Sequence, residues 1–134
     1  MRLSASLITA AIPGTRILIV EDEIIIAMLL EEILGDAGYI VVGPYSRLAD
    51  ALVAARTMAC EAALLDVNLG GEKVFPAAEA LEHRHVPFLL LSGYGDKAIP
   101  SEHPNWHSLE KPFKERELLL AVAGMVVPAE RVAH

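Results

Sequence analysis

The sequence predicts an α/β fold: a doubly wound, five-stranded parallel sheet in the order 2-1-3-4-5 with helices on both faces. Three observations predict it. Apolar β-branched runs alternate with helical stretches at a spacing of roughly 20 to 25 residues, the rhythm of right-handed βαβ crossovers. The strand segments are continuously apolar rather than alternating, as strands buried on both faces are. The chain is 134 residues long with 54% apolar and 22% charged residues, enough for one stable core and no second catalytic domain.

The elements follow in order. Arg16-Ile17-Leu18-Ile19-Val20 reads as the first strand. A helix is expected over Glu23 to Leu34, closed by Gly35 and Gly38. Tyr39 to Val42 is the second strand, stopped by Gly43-Pro44, after which Ser46 is placed to cap a helix reaching about Thr57. Ala62 to Leu65 is the third strand and ends at Asp66. Gly70-Gly71 marks a loop before a helix from Glu72 to about His83, with Pro76 in its first turn. Val86 to Leu91 is the fourth strand, Trp106 to Leu109 a short fifth, and Lys114 to about Val126 the last helix. Between the last two strands Gly93, Gly95, Pro100 and Pro104 leave room only for a short or irregular fourth helix. The domain is expected over residues 16–127, with 1–15 an N-terminal extension and 128–134 a C-terminal tail.

Charge and composition narrow the function. With 11 basic and 18 acidic residues the net charge is -7, which argues against nucleic acid or an anionic membrane as a direct partner. No apolar stretch is long enough for a membrane helix, and the single cysteine, Cys60, allows no internal disulfide. A reducing, cytoplasmic location fits this composition. Residues 1–11 make a poor secretory signal, with one basic residue and a short, broken apolar run.

The chemistry collects at the strand ends. Ligands of open α/β sheets bind at the carboxyl ends, where the strand order reverses. Glu21-Asp22 follow the first strand, Asp66 the third, Ser92 the fourth and Glu110-Lys111 the fifth. In the expected order the first and third strands are neighbours, so Glu21, Asp22 and Asp66 converge. Three such carboxylates repel one another unless a cation sits among them, and an oxygen-only set suits magnesium. Lys111 and Ser92 beside Asp66 offer a positive charge and a hydroxyl, which suits a phosphoryl group.

Ile17 to Glu23, Leu64-Leu65-Asp66-Val67-Asn68-Leu69, Leu90-Leu91-Ser92-Gly93 and Lys111-Pro112-Phe113 together resemble the receiver domain of bacterial two-component response regulators. The resemblance spans roughly residues 16 to 126. It implies a flavodoxin-like receiver fold with Asp66 as phosphoacceptor. Glu21, Asp22 and Asp66, with the backbone carbonyl of Asn68, would hold Mg2+. Ser92 and Lys111 would follow the phosphoryl group. The implied partner is a histidine kinase or histidine phosphotransfer protein. The domain would phosphorylate and dephosphorylate itself without being a turnover enzyme, and would signal by protein-protein contact or act as a phosphate sink or shuttle.

Departures carry information too. Gly70-Gly71 stands where the family usually has a proline, and Ser108 where it has an aromatic switch residue, three positions before the lysine. Ser92-Gly93-Tyr94-Gly95 resembles a subgroup of often stand-alone receivers that lack the aromatic switch and are linked to HWE-type histidine kinases, which makes Tyr94 the candidate switch.

Other features point to surfaces rather than chemistry. The seven apolar residues from Ile24 to Leu30 go all the way round a helix, so some face outward beside the acidic pocket, either to dock a kinase helical bundle or to lie under the N-terminal extension. Leu120 and Val126 are candidates for a homodimer face. His83, His85, His103 and His107 are expected as solvated surface side chains rather than a zinc site. Asn68 stands where an aspartyl-phosphate phosphatase needs a second aspartate, which disfavours that enzyme class. A receiver-like interaction module that is never phosphorylated is the alternative.

Overall fold

The computed structural model describes residues 14–126. Five parallel strands form the main sheet: β1 (Arg16–Val20), β2 (Ile40–Tyr45), β3 (Ala62–Asp66), β6 (Phe88–Ser92) and β7 (Ser108–Glu110), in the order β2-β1-β3-β6-β7. A small antiparallel hairpin, β4 (Asn68–Leu69) with β5 (Glu72–Lys73), projects after β3. The helices are α1 (Ile24–Asp36), α2 (Leu48–Thr57), α3 (Phe75–His83) and α4 (Glu115–Val126), and a single 3-10 turn covers Gly95–Ala98. Leaving the hairpin aside, this is the expected 2-1-3-4-5 order with the expected short fourth helical segment. Among the described residues no helix is long and apolar enough to cross a membrane.

The continuous apolar strands are explained by two cores. Successive side chains of a strand point to opposite faces. Leu18 and Val20 therefore pack with Leu65 and Leu90 beneath α2 and α3, whose contact surfaces are Ala51, Ala54, Ala55, Ala77 and Ala78. Ile17 and Ile19 pack with Leu64 and Leu91 beneath α1 and α4, through Leu30, Leu34, Leu118 and Val122. Small alanines on one side let α2 and α3 approach the sheet closely, while branched side chains fill the other side.

Several boundaries differ from expectation. Gly43-Pro44 does not end β2; the strand continues to Tyr45, whose carbonyl accepts a hydrogen bond from Glu21 N at 2.9 Å. Gly43 allows this. It sits at φ +103 with the register shifting beside it, and a Cβ there would lie 2.8 Å from the Ile19 carbonyl oxygen. Ser46 does not cap α2; Arg47 holds the cap position and no side chain bonds there. The segment from Glu72 is strand, not helix, because the hairpin occupies it, and α3 starts at Phe75 with Pro76 in its first turn. The fourth and fifth strands begin two residues later than expected, at Phe88 and Ser108. Trp106 thus precedes β7 and is a core residue.

The outward apolar residues of α1 are Ile24, Ile25, Met28 and Leu29, with Ile25 82% exposed. Of the proposed cover, residues 1–15, residues 1–13 lie outside the described residues. Leu120 is exposed and Val126 half-buried on α4. His83, His85 and His107 are exposed as expected. His103 is not simply solvated. Its ring stacks on Trp106 at 3.9 Å and its Nε2 lies 3.1 Å from Glu79 Oε2, because the loop before β7 folds back over α3.

Candidate functional site

The parallel pairing sets the site. Val20 aligns with Leu65 and Asp66 with Leu91, so the carboxyl ends of β1, β3 and β6 lie level. The residues that follow these ends share one mouth. Glu21 is 1% exposed, and Asp66 and Ser92 are buried. Carboxylate oxygens of Glu21, Asp22 and Asp66 all lie within 4.8 Å of one another. A cleft of about 640 Å³ opens above them, its walls including Asn68, Ser92, Tyr94 and Lys111.

Lys111 crosses the site from the end of β7. Its Nζ lies 2.9 Å from Glu21 Oε1 and 3.3 Å from Asp66 Oδ1. Its backbone N donates to the Ser92 carbonyl at 2.8 Å, which fixes the lysine beside β6. The other carboxylate bonds are to loop amides. Glu23 N donates to Glu21 Oε2 at 3.1 Å, Gly70 N to Asp22 Oδ2 at 2.9 Å and Asn68 N to Asp66 Oδ1 at 3.4 Å. Asn68 Oδ1 accepts from Gly71 N at 2.9 Å, an Asx-type turn that shapes the hairpin. The Gly70-Gly71 pair thus has a local role, supplying amides to Asp22 and Asn68. Both glycines have positive φ, at +59 and +96.

One cation among three carboxylates leaves an excess of negative charge. Burial pushes the Asp66 carboxyl up to about 8, Glu21 and Asp22 beside it push the same way, and Lys111 pulls against them. For Lys111 burial acts downward, but Glu21 and Asp66 outweigh it and the ammonium is held charged. An oxygen-only, charge-deficient cluster of this kind suits a hard divalent cation.

Glu21, Asp22, Asp66, Asn68, Ser92 and Lys111 are therefore brought together. Tyr94 lines the same cleft but its side chain is exposed, and its backbone N donates to Ser92 Oγ at 3.0 Å. Ser108 stands apart, with its hydroxyl donating to Asp96 Oδ1 at 3.1 Å. Lys73 and Lys97, which also line the cleft, were not marked by sequence reasoning. No spacing signal singles out one lysine in a hairpin and another in an irregular loop.

Comparison with known proteins matches this arrangement. The family model for the response regulator receiver domain matches residues 17–123. Comparison with curated proteins gives no sequence match. Among solved structures, SdrG from Sphingomonas melonis Fr1 is 40% identical, with 93% of this chain and 100% of that chain covered and a TM-score of 0.73. PhyR from Brucella abortus has a TM-score of 0.79 at 24% identity, and this chain covers 94% of itself but only 52% of PhyR. The receiver domain of the sensor histidine kinase PA1611 from Pseudomonas aeruginosa PAO1, solved with magnesium in its active site cleft, is 27% identical. Its TM-score is 0.65, with 83% of this chain and 98% of that one covered. Strand order, carboxylate cluster and family match agree, and the chain belongs to the response regulator receiver domain family.

Proposed function

We propose that the chain is a receiver that accepts a phosphoryl group on Asp66 in a Mg2+-dependent reaction. The observation that carries this is the position of Lys111, whose ammonium joins Glu21 and Asp66 at the head of three convergent carboxylates. Glu21, Asp22, Asp66 and the Asn68 carbonyl would hold the ion. When bound, Mg2+ supplies positive charge to the oxygens of the incoming phosphoryl group. The magnesium in the PA1611 receiver and the BeF3-activated conformation solved for SdrG, 41% identical over 87% of this chain, support the reading.

The donor is a phosphohistidine on a histidine kinase or phosphotransfer protein. An Asp66 carboxylate oxygen attacks phosphorus, forming an O–P bond. The P–N bond to the donor imidazole breaks and its electron pair stays on that nitrogen. Lys111 moves from Glu21 toward a phosphoryl oxygen, and the Ser92 hydroxyl donates to another. Water later attacks phosphorus, releasing inorganic phosphate and restoring Asp66, so no other substrate is turned over. The output is a protein-protein contact or a phosphate-sink role in the cytoplasm. The exposed Ile24, Ile25 and Met28, on the helix that begins directly after Glu23 of the cleft, suit the apolar face of a kinase helical bundle.

The test is phosphate-affinity gel mobility with acetyl phosphate or a phosphorylated histidine kinase, with and without Mg2+, beside Asp66→Asn. A Mg2+-dependent shift lost in the variant is expected. No shift with any competent donor means an interaction module that is never phosphorylated.

A further inference from the structure

Lys111 is committed to Glu21 and Asp66, yet two more ammonium groups line the same cleft. Lys73 comes from β5 and Lys97 from the 3-10 turn. Both are exposed, and among the described residues neither has an ion-pair partner. They share that cleft with the Asp22, Glu23 and Asp66 carboxylates, in a chain of net charge -7. Such a surface repels a phosphoryl dianion, and a lysine-lined mouth opposes that repulsion where the donor enters.

The orientation of Lys97 has a structural cause. Asp96 and Lys97 are neighbours on the turn but serve different spaces. Asp96 borders the separate hollow formed with Pro100, Pro104 and Trp106, and only Lys97 borders the Asp66 cleft. Asp96 is held away by the Ser108 hydroxyl at 3.1 Å. The preceding residue, Gly95, is buried at φ +56, where a Cβ would lie 2.6 Å from Glu110 Oε1, so the turn is seated on β7 at two consecutive positions. Lys97 N donating to the Tyr94 carbonyl at 3.2 Å and Ile99 N to the Asp96 carbonyl at 3.1 Å close the turn.

We infer that Lys73 and Lys97 form a cationic rim that admits the phosphoryl donor, and that Ser108 is a positioning residue which aims Lys97 by holding Asp96. This rests on the phosphoacceptor reading. It gives Ser108 a task of its own at a place where an aromatic residue is usual. The recognised chemistry is a phosphoryl dianion on nitrogen, whether free or carried by a protein histidine.

The experiment measures the second-order rate constant for phosphorylation by phosphoramidate, at low and high ionic strength. In that reaction the Asp66 O–P bond forms, the P–N bond breaks, and nitrogen leaves as ammonia with the pair. Lys73→Gln and Lys97→Gln are each expected to slow it roughly two- to threefold at low salt, and the double variant to lose most of the salt dependence. Mg2+ affinity by calorimetry stays the same or tightens, whereas a damaged fold weakens it.

The Ser108 arm uses charge against geometry. Asp96→Asn removes a negative charge but keeps an acceptor for Ser108, so the rate holds or rises. Asp96→Ala removes the same charge and the bond, so the rate falls toward that of Lys97→Gln. Ser108→Ala falls with it, Ser108→Thr restores the rate, and Ser108→Ala adds nothing in a Lys97→Gln background. A phosphorylated histidine protein as second donor separates the sources: loss with phosphoramidate alone assigns the rim to free donors, and loss with both assigns it to either. Wild-type rates in the Lys73→Gln/Lys97→Gln double variant overturn the rim. A wild-type protein that neither donor phosphorylates in Mg2+ overturns the phosphoacceptor reading itself, and the rim with it.

Discussion

Lys111 Nζ is closer to Glu21 Oε1, at 2.9 Å, than to Asp66 Oδ1, at 3.3 Å. The tighter partner is the more buried one, since the Glu21 side chain has no exposed surface. A buried carboxylate that loses its paired cation is costly, by about 3 kcal/mol when one partner of such a pair is removed. Lys111→Ala is therefore expected to lower metal-free stability by about that much in urea denaturation. Adding Glu21→Gln to it recovers most of the loss. An additive double variant would mean that the pair is not coupled.

The second prediction concerns pH. Asp66 titrates near 8 in the folded protein and in the ordinary carboxylate range when unfolded. Between those values the folded state holds a proton that the unfolded state has released. Asp66 thus favours folding at low pH, and that contribution is lost as the pH rises through about 8. Without Mg2+, Asp66→Asn should gain stability over the wild type steadily from about pH 4 to above pH 8. The check is the difference in Tm between the two proteins across that range, and a constant difference contradicts it.

Gly43 is a third point of test. Its φ of +103 and the Ile19 carbonyl 2.8 Å from a built Cβ leave no space for a side chain. Gly43→Ala should cost about 2 kcal/mol of stability through backbone strain. A loss no larger than a few tenths, by thermal denaturation, refutes the packing described for β2.

Tyr39 offers a gain. Its hydroxyl is buried and, among the described residues, has no hydrogen-bond partner, and burial pushes its phenol above the usual tyrosine range. Tyr39→Phe removes the unsatisfied group and keeps the ring. It should raise stability by about 1 kcal/mol, measured at equilibrium in denaturant. A loss would show that the hydroxyl is bonded in solution.

The sheet and the carboxylate cluster were legible because each depends on short segments with strong local signals. Ile17 to Val20 and Ala62 to Leu65 are apolar on both faces, which puts Glu21, Asp22 and Asp66 at strand ends, and the 2-1-3-4-5 order makes those ends adjacent. Gly43-Pro44 reads as a strand stop because glycine and proline commonly break strands, whereas here the pair forms an irregularity inside one. The β4–β5 hairpin was hidden because its strands are two residues each and are held by Asn68 Oδ1 and the Gly70 and Gly71 amides. The surroundings of His103 were hidden because they depend on the loop between β6 and β7 folding onto α3, a long-range contact with no periodic trace.

That loop sets the mechanical character of one end of the molecule. Three of the four sheet crossovers carry an α-helix, a stiff rod that moves as a unit or not at all. The crossover from β6 to β7 carries only the four-residue turn Gly95–Ala98. A tug on Ser92 is passed through the Tyr94 amide directly into a segment with no rod to drag. Deformation is concentrated there, and amide hydrogens from Gly93 to His107 should exchange faster than those of the helical crossovers. Among the described residues the sheet is then stiff except at this corner, which lies beside Asp66 and Ser92.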